Sequence, residues 1–357
     1  MSAPASAPSN AAGDADVHVE DFAGDAADWD GRLKAVEGGS FCHRYGWRAV
    51  MEDALGHETC WWVARDGEGE VSGLLPLVRV RSRLFGDYLV SMPFLNYGGP
   101  LGTPAARATL AGHARRHAER LGVDLLELRN RRALDGSSLT LSQRKLTVVK
   151  DLPATPEELW EKGLKTKVRS QVRRPMKEGM EVRFGPDELD RFYDVFARTM
   201  RDLGTPVLPK RFFTSIRAHL GDTVVFAVVE LEGAPVAAGC GLAWDGEMEI
   251  TWAGASREHS RLAPNMLLYW GMMEESVRRG LRAFNCGRCS PDSGTHRFKR
   301  QWGGEDHVLP WLQWSASSVP STPDPDSPRF RLATSAWSRL PVGLTNVLGP
   351  PLSRLLP

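Results

Sequence analysis

The densest run of chemistry-bearing side chains lies between residues 284 and 303. Phe284-Asn285-Cys286-Gly287-Arg288-Cys289-Ser290 leads into Gly294-Thr295-His296-Arg297-Phe298-Lys299-Arg300-Gln301-Trp302-Gly303. A strand entering a glycine-bearing loop crowded with polar groups is a frequent ligand position in mixed sheets. His296 is the general-base candidate by residue type, because an imidazole titrates near neutrality; a hydrogen-bonded structural histidine is the plainer alternative. Arg288 and Lys299 suit a phosphate or carboxylate. Cys286 and Cys289 form a lone C-x-x-C without a second pair. A structural zinc needs four ligands, so no metal is expected.

Three other stretches carry similar potential. From Lys162 to Lys177 there are seven basic residues and no acid. Lys165, Arg169, Arg173 and Lys177 are four apart and share one stripe if the segment is helical. Like charges at that spacing repel, and a nucleic-acid or phosphate-rich partner relieves the repulsion; a solvated face is the bland alternative. In Gly204-Thr205-Pro206-Val207-Leu208-Pro209-Lys210-Arg211, two prolines stiffen the connection between two helices. Lys210 and Arg211 then open a helix, where the dipole disfavours cations. Thr205 and Lys210 are therefore candidate substrate contacts, as are Asn96 and Tyr97 ahead of Gly98-Gly99-Pro100, and Trp302. No nucleophile elbow, P-loop or dinucleotide glycine fingerprint occurs, which disfavours hydrolase, NTPase and dehydrogenase readings.

These residues need elements to hold them. A short helix is expected over 41–51, strands over 60–65 and 71–80 around a turn at 66–70, and a strand over 88–94. A helix over 104–121 and strands over 125–129 and 145–152 follow. The pattern then restarts. Thr155 caps a helix with Pro156 at its first position, and helices span 187–203 and 209–220. Strands 224–231, 234–244 and 248–253 precede a helix over 264–279 and a strand over 282–285. This order predicts a duplicated α+β unit, with residues 17–150 and 151–314 as the two domains. Residues 1–16 read as a disordered tail, 315–328 as a Ser/Pro-rich linker and 329–357 as an amphipathic segment. That last segment is expected to pack on the protein, with peripheral membrane contact as the alternative.

Composition bounds the class. The chain has 357 residues, 42% hydrophobic and 25% charged, with a net charge of +1. These are values of an ordinary globular protein, without whole-molecule attraction to nucleic acid. No apolar run reaches the ~18 residues of a membrane span, and the N-terminus lacks the basic and apolar regions of a signal peptide. Five cysteines, odd in number and sparse, fit a reducing cytoplasm.

Leu75-Pro76-Leu77-Val78-Arg79-Val80-Arg81-Ser82-Arg83-Leu84-Phe85-Gly86 with Pro93-Phe94-Leu95-Asn96-Tyr97-Gly98-Gly99-Pro100 resembles a signature of the FemAB-related proteins associated with exosortase/PEP-CTERM loci. So do the 203–213 segment, the Phe284–Arg288 segment with Phe298-Lys299 and Trp302-Gly303, and Trp337–Pro341 with Leu348–Pro351. The resemblance covers roughly residues 40–356. It implies tandem GNAT-like (acyl-CoA N-acyltransferase-like) domains, mixed sheets flanked by helices, and acyl or aminoacyl transfer to an amine. It also implies a cleft between the two units, where the candidate catalytic residues Asn285, Arg288 and His296 are expected to converge. Asn285-Cys286 stands where the family carries Asp-Phe, and Asn can still orient a substrate by hydrogen bonding. No tightly bound cofactor is implied; the donor is aminoacyl-tRNA or acyl-CoA. An acyl-CoA loop presents several glycines to the pyrophosphate at a helix N-terminus. The corresponding Gly254–Pro264 has one, whereas the basic stripe suits tRNA. The acceptor implied is a small-molecule or glycan amine in exopolysaccharide or cell-envelope synthesis, at the cytoplasmic side of the inner membrane. Two other readings compete, a catalytically inactive binding scaffold and a nucleic-acid-binding module.

Overall fold

The computed structural model describes residues 17–134, 137–317 and 328–356. The expected disordered tail, 1–16, and most of the expected linker lie outside the described residues.

Among the described residues the first sheet has eight strands, in the order β1-β2-β3-β4-β6-β15-β7 with β5 added to β3. Its strands are β1 (His18–Asp21), β2 (Glu58–Arg65), β3 (Val71–Ser82), β4 (Gly86–Val90), β5 (Leu101–Gly102), β6 (Leu125–Leu128), β7 (Thr140–Ser142) and, from far along the chain, β15 (Trp311–Ser315). The second sheet has seven among the described residues, in the order β14-β8-β13-β12-β11-β10-β9. These are β8 (Leu146–Asp151), β9 (Glu181–Phe184), β10 (Val224–Leu231), β11 (Ala234–Trp244), β12 (Glu247–Ala255), β13 (Ala283–Cys289) and β14 (Glu305–Val308).

The helices are α1 (Ala26–Ala35), α2 (Trp47–Ala49, continued as a π-helical turn to Ala54), α3 (Pro104–Leu121), α4 (Pro156–Glu158, continued to Gly163), α5 (Thr166–Lys177) and α6 (Leu189–Asp202). Then come α7 (Lys210–Leu220), α8 (Pro264–Arg278), α9 (Gly294–Arg300), α10 (Pro328–Trp337) and α11 (Val342–Ser353). Local chemistry sets their ends. Thr103 Oγ1 accepts from the Ala106 amide at 3.2 Å, and Gly122 closes α3 in the left-handed region.

The two sheets repeat one plan. A three-strand meander (β2-β3-β4, β10-β11-β12) is followed by a long helix (α3, α8) and a strand parallel to the meander's last, β4 with β6 and β12 with β13. The next neighbour is exchanged. β8, which a boundary after residue 150 assigns to the first unit, pairs with β13 in the second sheet. β15, assigned to the second unit up to residue 314, pairs with β6 and β7 in the first. Each sheet is thus completed by the segment flanking the other unit, a non-local pairing that strand periodicity does not encode.

The largest apolar cluster among the described residues lies between the sheets. It joins Trp29, Trp47, Trp61 and Tyr97 of the first unit to Phe192, Phe212, Phe213 and Trp252 of the second. Separate clusters cover the outer faces, under α3 on one side and under α5 and α8 on the other.

Candidate functional site

In β12, Glu247 and Glu249 alternate with Met248 and Ile250. The apolar pair faces the α8 cluster, so both carboxylates point to the interface between the sheets. β12 pairs with β13 only up to Glu249 opposite Asn285. Beyond that rung β13 bulges at Gly287, whose φ is +75°. A Cβ there would stand 2.6 Å from the Ile250 carbonyl oxygen, so glycine is required where the two strands part.

Around this last rung gather side chains from both units. Asn96 Nδ2 donates to Glu249 Oε1 at 2.6 Å, and Thr251 Oγ1 donates to the same oxygen at 3.2 Å. Asn285 Nδ2 donates to the Tyr97 hydroxyl at 2.9 Å and to Glu247 Oε1 at 3.0 Å. Its Oδ1 accepts from the Gly287 amide at 2.9 Å and from the Thr147 hydroxyl. All four hydrogen-bonding positions of Asn285 are therefore occupied by protein groups. Arg131 pairs with Glu247 and lies over the Tyr97 ring, 5.0 Å from its centre.

Glu249 is fully buried, and its Oε2 has no hydrogen-bond partner among the described residues. Burial, reinforced by the neighbouring Glu247, pushes its carboxyl up to about 7. A carboxylate poised near neutrality with one free oxygen can accept a proton. Arg131, Trp244 and Glu247 form a wall, with Glu249 and Tyr97 behind it and a cleft of ≈930 Å³ in front. Lys34, Arg132, Thr147 and His307 also line that cleft.

Beside the rung is a cationic patch. Arg288 and Arg129 both lie on the Trp311 ring, at 5.1 and 4.7 Å from its centre. Arg129 is tied to buried Glu127 at 2.8 Å and to the carbonyls of Met92 and Leu95. Arg288 has no carboxylate contact among the described residues. Burial and the charge of Arg129 lower its pKa to about 10, so it stays charged at neutral pH. Lys145 donates to Ser290 Oγ at 2.7 Å, and buried Lys299 donates to the Arg288 carbonyl at 2.8 Å.

Of the residues singled out from the sequence, Asn96, Tyr97, Asn285, Arg288 and Lys299 thus come together. Others do not. His296 has both ring nitrogens occupied: Nδ1 accepts from the Asp292 amide at 3.1 Å and Nε2 binds Asp306 at 3.0 Å. It fastens α9 to β14, and no nitrogen is left for a substrate proton. Trp302 is buried against Tyr269 in the α8 cluster. Lys210 is turned outward to Asp190 at 2.9 Å, and Thr205 is exposed beyond α6. The basic stripe is helical, as α5 over 166–177 with Lys165 at its N-cap, but its members differ. Arg169 donates to the carbonyls of Trp160 and Glu161 at 3.1 and 2.6 Å and so locks the preceding turn. Lys165, Arg173 and Lys177 are exposed, joined by Lys167 and Arg174, and none has a carboxylate partner among the described residues.

Glu247, Glu249, Arg131 and Thr147 were not legible in the sequence. The available signal was the pair of acids alternating with apolar residues in Glu247-Met248-Glu249-Ile250-Thr251-Trp252. That alternation ordinarily marks a solvent face.

A model of the acetyltransferase (GNAT) domain matches residues 164–300. The UDP-N-acetylmuramoylpentapeptide-lysine N(6)-alanyltransferase of Weissella viridescens is 28% identical over 140 residues, 38% of this chain. The aligned part spans 42% of that relative's length. Among solved structures, FemX is similar over 83% of this chain and 97% of its own, with a TM-score of 0.63 at 14% identity. L-PGS from Bacillus licheniformis follows over 82% and 96%, with 0.52 at 14%. A tandem GNAT protein from the clavulanic acid biosynthesis pathway follows over 86% and 100%, with 0.51 at 16%. The architecture is that of two tandem GNAT-like units.

Proposed function

We propose that this chain is an N-acyl- or aminoacyltransferase, and that Glu249 takes up the proton its amine acceptor must lose. One observation carries the assignment: a fully buried carboxyl, raised to about 7, with one unpartnered oxygen at the rung where β12 and β13 part. The GNAT domain match over 164–300, which contains that rung, supports the reaction class.

The amine attacks the activated carbonyl carbon, forming the C–N bond. The ester C–O bond of an aminoacyl-tRNA, or the thioester C–S bond of an acyl-CoA, breaks. The amine proton reaches Glu249 from the cleft by way of the small cavity that Glu249 and Tyr97 share with Arg131, Trp244 and Glu247, which takes a single water as relay, and the departing alkoxide or thiolate is protonated in turn. Asn96 and Asn285 hold Glu249, Tyr97 and Glu247 in place, so the rate gain rests on positioning and on proton transfer. Arg288 and Lys145 bind an anionic group of donor or acceptor.

Aminoacyl-tRNA is the donor we favour. The exposed cations of α5 form a phosphate-binding face. The turn before α8 carries Ala263 in the left-handed region and Pro264 at the first helical position, in place of a glycine-lined pyrophosphate cradle. The acceptor is an amine on a glycan or peptide of the cell envelope, in keeping with the alanyltransferase relative. Intact-mass detection of transfer from aminoacyl-tRNA and from acyl-CoA to amino-sugar and lysyl amines tests the proposal. Transfer from either donor that is lost in Glu249→Gln supports it, and undiminished transfer in that variant refutes the role of Glu249.

A further inference from the structure

The C-terminal pair of helices is packed inside out. On α11 the buried positions are Thr345, Gly349 and Ser353, small or polar and four residues apart. Gly349 sits against the loop between α6 and α7, where a Cβ would stand 2.9 Å from the Val207 nitrogen. Arg201 donates to the Leu340 carbonyl at 3.0 Å and fastens the turn between α10 and α11. The opposite stripe consists of Leu344, Val347, Leu348 and Pro351, at i, i+3, i+4 and i+7, and it faces outward. Leu344, Val347 and Leu348 are 44%, 69% and 42% exposed, and Leu332 of α10 is 73% exposed. A helix in water turns its apolar stripe inward, and an outward one marks a partner surface.

Charge indicates which partner. Residues 328–357 contain four arginines and no aspartate, glutamate or lysine. Arg331, Arg339 and Arg354 are exposed, and none has a carboxylate partner among the described residues. An apolar stripe flanked by unneutralised arginines complements an anionic bilayer, whose headgroups meet the guanidinium groups while its acyl chains take up the leucines. A second copy of the chain would bring the same arginines face to face with no acid between them. No helix among the described residues is long and apolar enough to cross a membrane.

We propose that α10 and α11 form a docking surface for an anionic lipid bilayer, on which the protein lies with Leu332, Leu344, Val347 and Leu348 inserted. Packing on the protein and membrane contact, which the sequence offered as alternatives, are thereby assigned to opposite faces of one helix.

Co-sedimentation of the full chain with extruded vesicles tests this. Vesicles of phosphatidylglycerol and phosphatidylcholine in equal parts should carry the protein down, and pure phosphatidylcholine should not. Val347→Ser/Leu348→Ser changes only exposed positions and should leave the melting temperature unchanged while weakening vesicle binding at least about tenfold. Arg331→Gln/Arg339→Gln should remove the preference for anionic vesicles and its sensitivity to salt. Absence of binding to both vesicle types overturns the proposal, as does binding indifferent to the serine pair. A dimer in light scattering that the serine pair converts to monomer would overturn it in favour of self-association. Capture of an acidic protein without vesicle binding would overturn it in favour of a protein partner.

Discussion

The proposed role of Glu249 ties function and stability together with opposite signs. In the native state its carboxyl keeps its proton to pH about 7, whereas its ordinary value is 4.5. Between those values the folded chain binds more protons than the unfolded one, so this group's contribution to stability falls as pH rises. Above pH 7 the full cost, about 3 kcal/mol at ~1.4 kcal/mol per unit, is present. Glu249→Gln should therefore be more stable than the parent in urea titrations at pH 8 and equal to it near pH 4.5. Its kcat/KM should fall by roughly 10²–10⁴. The parent's kcat/KM should climb with pH and level off above an apparent pKa near 7, and a flat profile would exclude this proton acceptor. Gly287→Ala should cost about 1–3 kcal/mol, since it must relieve both a positive φ and the Ile250 carbonyl; a chemical-denaturation midpoint measures it. Polar residues beside glycine and proline, such as Asn96, Tyr97 and Arg288, were legible because strand ends and tight loops have few other uses for such neighbours. Glu249 was not, since an acid in an alternating strand reads as solvated. His296 was legible by type, but residue type does not reveal that Asp292 and Asp306 occupy its ring nitrogens.

Among the elements, α5 separates residues that look alike in sequence. Arg174→Gln/Lys177→Gln removes two exposed cations without a carboxylate partner among the described residues and should weaken tRNA binding. The slope of log K against log salt should fall by about 1.4, or ~0.7 for each phosphate no longer neutralised. Arg169→Ala should instead lower the melting temperature with little change in that slope, since its guanidinium is spent on the carbonyls of Trp160 and Glu161. Electrophoretic mobility shifts over a salt series, read beside melting curves, distinguish the two. Capped helices were legible nearly to the residue, as with 104–121 between Thr103 and Gly122. Short strands such as β1, β7, β9 and β14 were not, because three or four residues carry too little periodicity and depend on a neighbour for their hydrogen bonds.

For the whole molecule, the exchange of β8 and β15 makes the two units interdependent. A chain cut after residue 150 leaves one fragment without β15, which joins β6 to β7, and the other without β8, which joins β13 to β14. Neither fragment should fold alone, and the intact chain should melt in a single calorimetric transition; two resolved transitions would contradict this. The duplicated plan was legible from the repeated order of strands and helix, but the exchange was not, because strand pairing across such distances leaves no local mark. Order of synthesis adds a further constraint. β6 leaves the ribosome long before its partner β15 exists. At about 5–20 residues per second the intervening chain takes roughly ten to forty seconds to make. Throughout that interval the nascent first sheet presents an open edge at β6, with its Leu-Leu-Glu-Leu sequence, to every other unfinished chain nearby. Overproduction should therefore aggregate the protein through incomplete chains, and slower translation or chaperones that cover strand edges should recover it.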